Sequence, residues 1–204
     1  SLIEKISSIP LFKGLSEGQL SGLAGIAVEK TFSRGQTIFS EGDEGHGFFI
    51  ALSGRLKVFK LSPDGREQIL HILGPGEIFG EVPVFAGSHF PANAAAMEET
   101  RVLYFMRASL IALIEKNPSI AMGLLAVLSK RLRIFTSLID DLSLKEVPGR
   151  LASYILYLSR KENDSMALEL DITKGQLASL LGTIPETLSR ILAKMSAQGI
   201  LECT

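Results

Sequence analysis

Three hydrophobic rhythms follow one another along the chain. From about Ile26 to Met106, short apolar segments are cut at close intervals by glycines, among them Gly35, Gly42, Gly54, Gly65, Gly76 and Gly87. Short strands between such breaks predict an all-β sandwich or barrel. In GRLKVFK, Leu56 and Val58 alternate with Arg55, Lys57 and Phe59, the period of a half-buried strand. SPDG then supplies Pro63, Asp64 and Gly65 in the order a hairpin needs before REQILHIL. Ahead of the barrel, SLIEKISSIPLFKGLSEGQLSGLAGIA predicts short helices, with Ser16 and Gln19 spaced as a capping box.

The second rhythm begins near Arg107 and runs to Leu142, with a break at Asn117-Pro118 where one helix ends and another starts. Ala121, Leu125, Leu128, Leu132, Phe135, Ile139 and Leu142 then recur at alternating steps of four and three, the seam of a left-handed coiled coil. Lys130, Arg131, Arg133 and Asp140 lie off that seam. A helix of this kind can pack on its own β domain or pair with its copy in a second subunit. The length and narrowness of the seam favour a symmetric homodimer. Residues 143 to 148, SLKEVP, read as a short polar hinge.

The third rhythm is helical throughout. GRLASYILYLSRKEN carries Leu151, Ile155 and Leu158 on one face. In TKGQLASLLGTIPETLSRILAKM, Gln176, Leu177, Leu180 and Leu181 build a first helix, Gly182 permits a tight turn, and Pro185 opens a second helix where its missing N–H is harmless. Leu188, Ile191, Leu192 and Met195 form the inner face of that second helix. The spacing is that of a helix-turn-helix. Glu186, Ser189 and Arg190 fall on the opposite face near the helix N-terminus, the end that enters a major groove. Arg190 is suited to a guanine edge and Glu186 to a cytosine amino group. Thr173, Lys174, Thr183, Pro185 and Thr187 complete the expected contact surface, the threonines and lysine facing phosphates. The alternatives are a first-turn Glu186 favouring the helix dipole and Arg190 as a surface charge.

Composition narrows the setting. A chain of 204 residues with 46% apolar positions can bury a proper core as one large or two small domains. A formal net charge of −1 means that any nucleic-acid contact rests on a local patch. Cys203 is the single cysteine, so no internal disulfide and no iron–sulfur cluster is expected. Apolar runs stop short of a membrane span, and a cytoplasmic location without membrane contact is the expectation.

ETLSR within a helix-turn-helix, the long helix before it and GPGEIFGE in an upstream barrel together resemble the Crp/Fnr family of bacterial transcription regulators, over nearly the whole chain. The resemblance implies an α+β chain in four parts. Residues 1–106 would form a jelly-roll effector barrel with N-terminal helices, similar to cyclic-nucleotide-binding domains, and 107–142 a dimerisation region. Residues 143–148 would be the hinge and 149–204 a winged helix-turn-helix, its wing expected beyond the ILECT end. It implies as partners a palindromic double-stranded operator, RNA polymerase and a small effector. The dimer seam would be Leu125, Leu128, Leu132, Phe135, Ile139 and Leu142.

The effector is the open question. Cyclic-AMP-binding members carry an Arg-Ser pair that grips the phosphate; at those positions this sequence reads Pro91 and Ala92, so cyclic AMP is not expected. The remaining candidate pocket is Gly80, Glu81, Val82, Asn93, Phe135 and Thr136, with Glu81 suited equally to a ribose hydroxyl or to a turn. VPVFAGSHFPANAAA with GTIPETLSR resembles the nitrosative-stress branch of the family, whose members are associated with haem and nitric oxide. A haem needs an axial donor, and among His46, His71 and His89 the loop residue His89 is the best placed. A cupin-like enzyme is disfavoured because the sequence has no His-x-His pair. A regulatory module that binds a cyclic nucleotide and acts on a partner protein is the alternative function.

Overall fold

The computed structural model describes residues 2–12, 15–87, 89–161, 165 and 167–202. Cys203, Thr204 and any wing beyond them lie outside the described residues. The chain divides into two compact units, Ser1–Lys60 with Leu70–Arg131, and Leu61–Ile69 with Leu132–Thr204.

The first unit opens with α1 (Leu2–Ser7), a 3-10 turn at Pro10–Phe12 and α2 (Glu17–Ile26). The Ser16 side chain accepts from the Gln19 amide while the Gln19 side chain accepts from the Ser16 amide, so the capping box forms as its spacing predicts. Next come β1 (Ala27–Phe32), β2 (Thr37–Phe39), β3 (Gly47–Ser53), β4 (Leu56–Leu61), β5 (Glu67–Leu73) and β6 (Ile78–Phe79). After α3 (Val82–Ala86), β7 (Asn93–Ala96) and β8 (Thr100–Met106) complete the strands. They pair into two four-stranded sheets, ordered β1-β8-β3-β6 and β2-β7-β4-β5, with every mapped pairing antiparallel. This is the jelly-roll barrel that the glycine-cut pattern predicts.

β3 shows why that barrel has an unbroken apolar strand. Phe48 and Ile50 face a core built with α1, α2 and the helices after β8, while Phe49 and Ala51 face the core between the sheets. A strand buried on both faces loses the usual alternation.

α4 (Arg107–Lys116) follows β8 directly, and α5 (Pro118–Leu144) begins after Asn117, at the break the sequence marks. Ile120 and Leu124 of α5 are buried in the first core. Leu125, Leu132 and Ile139, spaced by seven, are 55%, 67% and 64% exposed, and Leu128, Phe135 and Leu142 are half-buried. One side of the helix serves its own barrel, while Leu125, Leu132 and Ile139 of the seam are left exposed. Among the described residues no single helix is long and apolar enough to cross a membrane.

The second unit holds the hairpin tip between β4 and β5, the end of α5, and α6 (Val147–Lys161), α7 (Lys174–Leu180) and α8 (Pro185–Ala197). The expected six-residue hinge is largely helical. Ser143 and Leu144 finish α5, and Val147 and Pro148 open α6, leaving Lys145 and Glu146 between them. Pro148 causes no break because a first-turn proline lacks only an N–H that would have no intrahelical partner. Arg150 holds this corner: it donates to the carbonyls of Lys145, Leu142 and Leu181 at 2.9–3.0 Å.

The hairpin tip forms around SPDG, with the Gly65 amide donating to Ser62 O and the Ser62 amide to Arg66 O. The Ser62 hydroxyl donates to Asp64 and, with the Asp64 backbone amide, holds that carboxyl below its usual range. Beyond the turn, Ser179 of α7 meets the strand edge: its hydroxyl donates to Glu67 O at 2.6 Å and accepts from the Ile69 amide at 3.1 Å. Gln68 Nε2 donates to Ser179 O at 2.8 Å. An edge strand presents unpaired backbone groups, and one serine satisfies two of them here.

Candidate nucleic-acid interface and effector barrel

The helix-turn-helix is built from caps and one glycine. Thr173 caps α7 in a full capping box with Gln176, which spends Thr173 and Gln176 on the helix end. The Thr183 amide donates to Ala178 O at 2.9 Å, closing the turn. Gly182 sits there at φ +66, and a Cβ would come within 3.1–3.2 Å of Gln68, Leu142 and Arg150 side chains. Both the left-handed backbone and the crowding select glycine. Behind the turn, Leu151, Leu177, Ala178, Leu181 and Leu188 are buried, with Ile191, Leu192 and Met195 packed against them. The inner face of α8 is the one its spacing predicts.

That packing leaves the other face of α8 free. Glu186 and Arg190 are exposed, one turn apart, and Pro185 and Lys174 are exposed too. Ser189, expected on the same open face, is half-buried, as are Thr183 and Thr187. One helical step from buried Leu188, Ser189 sits on the flank of α8 rather than at the centre of the open face. Arg190 Nη2 donates to Thr187 Oγ1 at 3.2 Å, so Thr187, expected at a phosphate, steadies the arginine in this structure.

In the barrel the expected pocket residues have other partners. Glu81 is only 5% exposed and is paired with Arg131 of α5, whose guanidinium also donates to Ile78 O. Arg131 lies off the apolar seam, and its spacing along the chain gives no sign of this pairing. Gly80 lies against Phe39, Phe49 and Phe90, which with Phe79 stack inside the barrel; the Phe39 and Phe90 ring centroids are 3.9 Å apart and the rings 9° from parallel. Val82 is exposed, Ala92 is buried, and Pro91 O accepts from Lys60 Nζ at 3.0 Å. Lys60 is itself paired with Glu41. Asn93 accepts from the Glu41 amide at 3.0 Å and donates to Phe59 O at 3.4 Å, tying strands together. Phe135 and Thr136 belong to the second unit, and Thr136 donates to Leu132 O of its own helix.

The three histidines are spread over the barrel and differ in exposure. His89 is exposed and bridged through its backbone to Glu44. His46 lies 3.7 Å from Glu44 with its side chain 72% exposed, and His71 lies 3.5 Å from Glu77. His71 is the most covered of the three, its side chain 20% exposed.

A jelly-roll barrel and a helix-turn-helix, sharing one long helix, define a class of protein: the effector-barrel transcription regulators. Residues 29–117 match the cyclic nucleotide-binding domain and residues 149–204 the Crp-like helix-turn-helix domain. The chain is 32% identical to the CRP-like cAMP-activated global transcriptional regulator of Mycobacterium tuberculosis, over 96% of this chain and 89% of that protein. It is 30% identical to the fumarate and nitrate reduction regulatory protein of Escherichia coli, over 92% of this chain and 76% of that one. The chain belongs to the Crp/Fnr family. Among solved structures, Thermus thermophilus catabolite activator protein aligns with a TM-score of 0.60 at 33% identity, covering 96% of this chain and 90% of that one. The c-di-GMP responsive regulator CLP of Xanthomonas campestris has the same fold, with a TM-score of 0.81 over 93% of this chain and 96% of that one at 23% identity.

Proposed function

We propose that this protein is a homodimeric transcription regulator that binds a palindromic operator through α8, one helix per half-site. The observation that carries the reading is the division of α8: a fully buried Leu188 on one face, and Glu186 with Arg190 exposed one turn apart on the other. In this reading Arg190 donates to a guanine edge, Glu186 accepts from a cytosine amino group, and Lys174 and Thr183 contact phosphates. The exposed seam of Leu125, Leu132 and Ile139 is the surface a second copy covers, with the two recognition helices about 34 Å apart on one face of the DNA.

The effector in this proposal is not cyclic AMP. Pro91 and Ala92 offer no charge to a cyclic phosphate, and Lys60 beside them is paired with Glu41. Phe135, on the seam, is the side chain expected to transmit effector occupancy to the dimer helix. Of the haem-ligand candidates His89 is exposed and paired through its backbone with Glu44, and His71 lies beside Glu77. Selection of bound duplexes from a random pool by the full chain, followed by a gel shift on the enriched sequence, tests the function. A palindromic consensus bound at two chains per duplex, with affinity unchanged by cyclic AMP, is the expected result. Enrichment of no sequence at all would return the chain to the alternative of a regulatory module for a partner protein.

A further inference from the structure

We infer that Ile184 is a specificity-determining residue, an apolar contact for the methyl group of a thymine in the operator; the inference rests on α8 being the recognition helix. Ile184 holds the N-cap of α8 in an extended conformation, φ −108 and ψ 154, and no side chain caps the helix there. N-cap positions favour Ser, Thr, Asp and Asn, whose oxygen accepts from an otherwise unpaired amide. The preceding helix α7 follows that rule with Thr173. At the start of α8 the sequence gives up the cap for a β-branched hydrocarbon.

Packing does not explain the exchange. Ile184 is 49% exposed and is not among the buried residues around Leu177 and Leu188. A hydrophobic staple would use the residue before the N-cap, and that residue is Thr183. What distinguishes Ile184 is its place, next to exposed Pro185 and two residues before exposed Glu186, at the helix end that enters a major groove. Thymine alone presents a methyl group there, and an aliphatic side chain recognises it by excluding water from both. Proline beside it has no N–H to offer, so the two residues form an apolar lip while Glu186 and Arg190 address hydrogen-bonding edges.

Replacing each thymine of one half-site of the selected operator with deoxyuridine removes the methyl group and nothing else. The full-length protein is expected to lose affinity at one position by about fourfold, the equivalent of ~0.8 kcal/mol for one buried methyl. Ile184→Ser is expected to bind the thymine and uracil operators equally, while its melting temperature stays at or above that of the unmodified protein because serine is the better cap. Uracil tolerated at every position, or an undiminished methyl preference in Ile184→Ser, would overturn the inference; either is also what a protein partner seated on Ile184 predicts. The first arm needs no variant, so a folding defect cannot mask it. Failure to select any operator would sink the reading of α8 itself, whereas a selected operator indifferent to uracil leaves that reading standing and removes only Ile184.

Discussion

Glu81 is buried with its charge matched by Arg131, and the same guanidinium holds Ile78 O. Removing one member of such a pair leaves the other desolvated and unmatched. Arg131→Met is therefore expected to destabilise the barrel by about 3 kcal/mol, with the Glu81→Gln/Arg131→Met double variant less impaired than the sum of the two single ones. Denaturant unfolding of the three variants measures both. Arg190 lies at the other extreme, exposed and hydrogen-bonded to Thr187. Arg190→Ala should leave stability unchanged, weaken operator binding by roughly 1–3 kcal/mol and relax base preference at one position per half-site. An equal loss on every sequence, read by gel shift on single-base variants, would make Arg190 a phosphate contact instead.

At the scale of elements, caps and seams decide. Thr173 and Gln176 close the N-terminus of α7 reciprocally, so Thr173→Ala is expected to cost about 1 kcal/mol in the stability of the helix-turn-helix. Thermal unfolding followed by circular dichroism checks it. On α5 the burial of Ile120 and Leu124 already anchors the helix to its own barrel, which separates folding from association. Leu132→Asp places a carboxylate on the most exposed part of the seam without touching that anchor. The expected outcome is a folded monomer by sedimentation; a dimer of unaltered strength would show that the seam does not pair.

For the whole molecule, the two units differ in how openly the sequence announces them. The barrel shows itself in glycine-cut strands and the SPDG hairpin, because turn chemistry is local and needs no tertiary partner. The break at Asn117-Pro118 and the tight turn at Gly182 are legible for the same reason. SLKEVP looks polar and carries a proline, yet only Lys145 and Glu146 lie outside helix, because a proline in the first turn is compatible with helix. Arg150, bonded to three carbonyls, then holds the ends of two helices on either side of a two-residue gap. Ser189, one helical step from buried Leu188, lies at the edge of the open face and is half-buried there, whereas Glu186 and Arg190 stand opposite.

By itself, then, the sequence determined the barrel and its first hairpin, the long helix with its apolar seam, and a helix-turn-helix whose outer face holds Glu186 and Arg190. Each depends on periodicity or on a turn residue, and both are properties of neighbours along the chain. Tertiary structure decided the rest: the pairing of Glu81 with Arg131, the stacking of Phe39, Phe49, Phe79 and Phe90, the use of Ser179 at the edge of β5, and the exposure of Ile184. These bring together or uncover side chains far apart in the chain. No local rhythm encodes such partners, because they meet only when separate elements pack.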